Sequence, residues 1–195
     1  MMLSELSGIA QAALPISAFK EHLHLGSGFA DDGAQDSLLE ALLRAAIAAV
    51  EARTDKATIT RDFIWTVPEW RLPDEAAFPV APVLSVTAMS IVDRNGASTA
   101  VDPAGFALIP DTHRPHLAGS LPSIPSGGVA EVQFSAGYGT SWGELPADLA
   151  QAVFLLGAHY YEHRHDTAAT ERPMPHGANA LLQRYTTVRI LGGGV

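Results

Sequence analysis

Apolar positions recur with two different periods along this chain, and the changes of period mark its elements. In "DDGAQDSLLEALLRAAIAAVEARTDK" (31–56) Leu39, Leu42, Leu43, Ala46 and Val50 return at helical spacing, which predicts a helix over 33–54. Asp32 with Gln35 makes a capping-box-like start, and the alanine-rich flanks let neighbouring elements approach closely. "SAFKEHLHL" (17–25) reads as a short helix with Ser17 as N-cap, ended by Gly26 and Gly28. A second long helix is predicted over 146–165, with Pro146 in its first turn and Asp148 at its positive end. Its stripe of Leu149, Val153, Leu156 and Tyr160 lies beside a second one of Ala152, Leu155 and His159. A helix apolar over so much of its circumference belongs at the centre of a core. The core is therefore expected at Leu39, Leu42, Leu43, Val153, Leu156 and Tyr160, with a short helix near 177–184 beside it.

Between the long helices the period drops to two. "TITRDFIWTV" (58–67) places Ile59, Phe63, Trp65 and Val67 on one face, as a half-buried strand does. Alternating runs flank Asn95-Gly96, a hairpin signal. "GFALI" and "VAEVQFSAGYG" predict further strands, separated by "PDTHRPHLAGSLPSIPSGG", a long loop of turn-formers that a partner could order. The fold class is α+β: a helical core, a small antiparallel sheet and hairpin inserted over about 57–137, and an extended C-terminal tail.

Composition narrows the function. Twelve Lys and Arg against 21 Asp and Glu give a net charge of −9, which argues against a groove-binding nucleic-acid reader. Only 17% of residues are charged, while Gly (17) and Pro (13) are plentiful, which suits irregular backbone or surface hidden in an assembly. The absence of cysteine excludes disulfides, iron–sulfur clusters and thiolate zinc sites. No Lys or Arg precedes Lys20, so the N-terminus lacks the basic region of a signal peptide. The apolar run at 41–50 is broken by Arg44 and too short to span a bilayer, so a soluble chain without a membrane partner is expected.

Chemistry is suggested most sharply by "HYYEHRHD" (159–166). His159, Glu162 and His163 stand in the order H-x-x-E-H, with His165 just beyond; on a helix the first two histidines lie one turn apart, as a shared zinc ion requires. The same order is the signature of inverted zinc peptidases, which take a third ligand from a downstream Glu. After Glu162 only Asp166 and Glu171 remain, in a short polar stretch. A small His-coordinated metalloprotein or hydrolase is the alternative reading. The other is a helix end solvated by Glu162, His163, Arg164 and His165, where cationic side chains are favoured. The residues favour the helix end. "GSGFAD" (26–31) follows a helix rather than a strand and lacks the third glycine of a dinucleotide loop, and "HRPH" (113–116) lies in the long loop. No enzyme, cofactor or metal site is expected.

Taken in order, "FKEHLHL", "DSLLEALLRAAIAAVEARTDKATI", "PVAPVLSVTAMSIVDRNG", "VQFSAGYG", "LPADLAQAVFLLGAHYYEHRH" and "ANALLQRYTTVRIL" resemble the head–tail connector, or adaptor, proteins of long-tailed phages and related gene transfer agents. The likeness spans most of the chain, and "YYEHRH" matches the aromatic–Glu–x–Arg type of patch that ends the penultimate helix in that family. The resemblance implies one adaptor domain over 1–180 and a portal-binding tail over 181–195. It implies a virion component, assembled in the host cytoplasm, that forms a ring of about twelve copies between the portal and the stopper or tail protein. DNA would pass through the channel without specific binding. Arg184, Tyr185, Val188, Arg189, Ile190 and Leu191 are the expected portal contacts. They lie in a terminal stretch that holds no acidic residue and suits an extended strand.

Overall fold

The computed structural model describes residues 1–25, 33, 35–164 and 174–186. They fall into two compact units, Met1–Leu14 with Lys56–Leu145, and Pro15–Asp55 with Pro146–Val195.

The first unit is built on antiparallel strands: β1 (Met2–Glu5), β2 (Arg61–Val67), β3 (Glu75–Ala77), β4 (Val83–Val92), β5 (Ser98–Ala100), β6 (Phe106–Ile109), β7 (His116–Gly119) and β8 (Val129–Ala136). Five form a sheet in the order β1-β2-β8-β4-β5, and three form another in the order β3-β7-β6. The two-residue period works as expected in β2, where Phe63, Trp65 and Val67 are buried while Asp62 is exposed. Phe63 pairs with Phe134 across β2 and β8, ring centroids 5.5 Å apart, and Phe78 packs on Phe134 at 4.8 Å. Ile59 is buried too, but ahead of the strand, where it bridges to Gly139.

The Asn95-Gly96 hairpin forms between β4 and β5 with Gly96 at φ +84, a left-handed conformation that suits glycine. The segment expected to be a loop is partly sheet. Its residues 116–119 are β7, the middle strand of the three-stranded sheet, with Leu117 fully buried. Lys56, itself buried, donates from Nζ to the Thr112 carbonyl at 2.9 Å and ties that segment down.

The described residues of the second unit form four helices: α1 (Ile16–His22), α2 (Asp36–Thr54), α3 (Ala147–Glu162) and α4 (His176–Leu182), with a 3-10 turn at Gln183–Tyr185. Leu39, Leu43, Ala46, Ile47 and Val50 of α2 and Leu149, Ala152, Val153 and Leu156 of α3 are buried. Leu42 and Tyr160 are half-buried rather than enclosed, because the inward stripe of α2 runs through Ile47 and that of α3 ends at Gly157.

Ser17 does not cap α1. The Pro15 carbonyl already accepts the Phe19 N–H at 2.9 Å, which starts the helix at Ile16 and leaves Ser17 inside it. Asp32 lies outside the described residues. Gln35 occupies the N-cap position of α2 without a side-chain cap bond, its amide oxygen accepting instead from the Tyr161 hydroxyl at 3.1 Å.

Candidate functional site

The histidine stretch resolves into a helix terminus. His159 and His163 meet at the end of α3 with ring centroids 4.3 Å apart and planes tilted by 46°, and His163 Nδ1 lies 2.8 Å from the His159 carbonyl oxygen. The same oxygen accepts the backbone N–H of His163 at 3.2 Å, the last bond of the helix ladder, so the ring adds to a carbonyl that is already bonded. Arg164 closes one that the ladder leaves open by donating from Nη1 to the Tyr161 carbonyl at 2.6 Å, its guanidinium lying 4.2 Å from the centre of the Tyr161 ring. Glu162 is exposed. Among the described residues no group of three or more His, Asp or Glu side chains is placed to hold a metal ion. His165, Asp166 and Glu171 lie outside those residues.

The expected partner-binding residues separate into two sets. Arg184 and Tyr185 are engaged within the helical unit, where both reach Asp148 in the first turn of α3. Tyr185 is 4% exposed, and its hydroxyl donates to Asp148 Oδ1 at 2.6 Å. Arg184 Nη1 donates to Asp148 Oδ2 at 3.1 Å, its guanidinium 5.1 Å from the centre of the Tyr185 ring. The Gln183–Tyr185 turn that follows α4 is thus held within the helical unit. Val188, Arg189, Ile190 and Leu191 lie outside the described residues.

Sequence reasoning placed Asp148 at the helix dipole but missed this second role. The signal was faint: an acidic first-turn residue, and an aromatic–arginine pair 36 and 37 residues further on. Its chemistry is that of anchoring. A carboxylate at a helix N-terminus is stabilised by the dipole and by charge-assisted bonds, here with both oxygens occupied by the base of the C-terminal segment.

Carboxylates also organise turns in the sheet unit. Asp93 is held below its ordinary value by the backbone N–H of Ala97 and then that of Asn95. Asp111 is lowered by the N–H groups of Arg114 and His113, and Glu144 by the N–H and then the hydroxyl of Ser141 in a capping box. Each shapes a loop. Large apolar side chains stand exposed at Met1, Met2, Leu6, Leu72, Leu84 and Ile109 in this unit and at Leu38 in the helical one.

No protein-family model matches the sequence, and no curated protein matches it. Solved structures do. A chain in the neck of an empty gene transfer agent particle, computed with sixfold symmetry, is 52% identical, with 99% of each chain covered and a TM-score of 0.89. A chain in the virion of a native gene transfer agent particle is also 52% identical over 99% of each chain, with a TM-score of 0.87. One in the neck of a native particle, computed with twelvefold symmetry, is 47% identical over 99% of each chain, with a TM-score of 0.84. Likeness at this level runs through both units, and these relatives are structural parts of a particle rather than enzymes. The chain belongs to the head–tail connector proteins that form part of the neck of gene transfer agent particles.

Proposed function

We propose that this protein is the adaptor of a phage-like particle: a homo-oligomeric ring of twelve copies seated between the portal and the stopper or tail protein. The observation that carries the reading is end-to-end likeness to neck chains, one of them in a neck computed with twelvefold symmetry. Residues 187–195, with Val188, Arg189, Ile190 and Leu191, form the portal-binding segment. It carries one positive charge, at Arg189, in a chain of net charge −9, and its β-branched residues suit strand addition to a partner's edge. DNA passes along the axis without specific binding, because an acidic ring repels phosphate and lets the duplex slide.

Mass measurement of the purified protein, alone and mixed with the portal protein of the same particle, tests this. Twelve copies on each portal are expected. A monomer that stays monomeric and unbound with portal in excess overturns the reading.

A further inference from the structure

We propose that neighbouring copies join edge to edge through the five-stranded sheet, β1 of one copy pairing with β5 of the next. The inference rests on the reading of the protein as a ring and names the surface through which that ring closes.

β1 is an edge strand with one side unused. The Leu6 N–H bonds inward to the Asp62 carbonyl at 2.8 Å, so the alternation of an antiparallel pair turns the N–H and C=O groups of Leu3 and Glu5 outward. Such an edge invites a further strand, and folded chains guard theirs with lysine, proline or other charge. The three-stranded sheet shows those guards: β3 lies between Pro73 and Pro79 and begins with exposed Glu75, and β6 lies between Pro103 and Pro110. β1 lacks them. Met1 to Ser4 carry no charged side chain, no proline comes before Pro15, and Glu5 is paired with Arg61 at 2.7 Å. Met1, Met2 and Leu6 stand 77%, 60% and 54% exposed along it. At the other end of the sheet β5 is exposed throughout, and its Ser98, Thr99 and Ala100 are uncharged.

Symmetry decides the occupant. In a cyclic ring each copy meets its two neighbours through different surfaces, so an edge must be met by something other than itself. The neck relatives were computed with sixfold and twelvefold symmetry. β1 and β5 are the two ends of one sheet, and a row of paired residues, Met2, Thr66, Glu131, Ser90 and Ala100, crosses it from one to the other. Every pairing in that row is antiparallel, so β1 and β5 run in the same direction. Continued around a ring, the row sets Ala100 of one copy beside Met2 of the next, in a parallel pair. Closure leaves no edge of this sheet unpaired and covers the exposed methionines.

The test uses the full chain assembled on the portal protein and exploits the absence of cysteine. Met2→Cys and Ala100→Cys, both at exposed positions, are combined in one chain and treated with a short bifunctional maleimide. A covalent ladder of up to twelve chains is expected, while each single-cysteine chain should give monomers alone. Hydrogen exchange on the unsubstituted protein gives a second readout that needs no variant. The amides of residues 1–6 should exchange about tenfold more slowly in the ring than in the free chain. A ring that gives neither ladder nor slower exchange overturns the joint. So does slower exchange without a ladder, which would place a portal or stopper strand on this edge. A dimer from Met2→Cys alone would mean twofold pairing of β1 with β1, and a ladder without slower exchange would mean contact without a shared strand pair; either overturns it. If the unsubstituted protein forms no ring on the portal, the ring reading fails, and the joint with it.

Discussion

A Cβ built on Gly157 would lie 2.8 Å from Cζ of Phe19, so the middle of α3 is bare where α1 sets its aromatic ring. Phe19 is fully buried, its ring centroid 5.6 Å from that of Phe154 and 6.4 Å from that of His22, which leaves it little freedom to retreat. Helix propensity alone favours alanine over glycine by about 1 kcal/mol, and overpacking a tight site costs about 1–3 kcal/mol. Gly157→Ala should therefore lower stability on denaturant unfolding, by about 1 kcal/mol net. Adding Phe19→Leu to that variant should recover part of the loss. A rise in melting temperature for Gly157→Ala alone would show that the ring yields freely.

Leu156, one residue earlier, faces the helical core at 2% exposure. α3 packs chiefly on α2 and α4, so truncation leaves a void between helices that cannot close independently. Leu156→Ala should cost about 2–5 kcal/mol. Leu156→Asp should prevent folding, and a well-folded Asp variant with an unchanged melting temperature would mean that this face is not packed.

The long helices were legible because their stripes repeat over many turns, and β2 because Phe63, Trp65 and Val67 alternate cleanly. β1 and β7 were not. Four residues each, "MLSE" and "HLAG", are too few to establish a period. Their strand state comes from partners distant in sequence, Ile64 for Ser4 and Ala76 for Leu117. Tyr185 was assigned to the tail because its sequence neighbours lack acid, whereas its partner Asp148 is 37 residues away. Local pattern predicts what local physics decides; a buried tyrosine held by a remote carboxylate is tertiary.

The depressed carboxylates give the sheet unit a definite acid response. Asp93, Asp111 and Glu144 all have folded values below their ordinary ones. Each stabilises the fold fully above the ordinary carboxylate range, and that contribution is lost as pH falls through the lowered folded value. These three groups should thus produce no change between pH 7 and about 5 and a decline below about 4. An NMR titration should place the Asp93 midpoint below the usual aspartate value. A midpoint at or above that value would contradict the double backbone acceptance seen from Asn95 and Ala97.

His163 should be dispensable. Its ring meets the His159 carbonyl and the His159 ring at the end of α3. His163→Ala should change stability by about 0.5 kcal/mol or less, and ring assembly on the portal should persist. Elemental analysis of the purified protein should find no stoichiometric zinc. One tightly held zinc per chain, lost in His163→Ala together with a hydrolytic activity, would restore the metallopeptidase reading.

Two truncations that differ by two residues should behave very differently. A chain ending at Thr186 keeps Tyr185 in its buried site and both partners of Asp148. It should melt like the full chain, because the contacts that hold this end, the buried Tyr185 ring and the bonds to Asp148, are kept. A chain ending at Arg184 loses an aromatic ring that is 4% exposed and the donor to Asp148 Oδ1. Emptying a buried aromatic site costs about 3–5 kcal/mol, a large share of a domain's stability, so this chain should melt far lower or misfold. Loss of portal binding in the longer truncation would therefore be ambiguous, and only the chain ending at Thr186 isolates the segment. In the full chain Arg189→Glu should weaken docking, with a loss that shrinks as salt rises, because salt screens the attraction between opposite charges. If the chain ending at Thr186 docks with unchanged affinity, the anchor lies elsewhere. The segment from Pro110 to Gly128 is then the next surface to mutate, starting at exposed His113 and Arg114 and sparing buried Leu117.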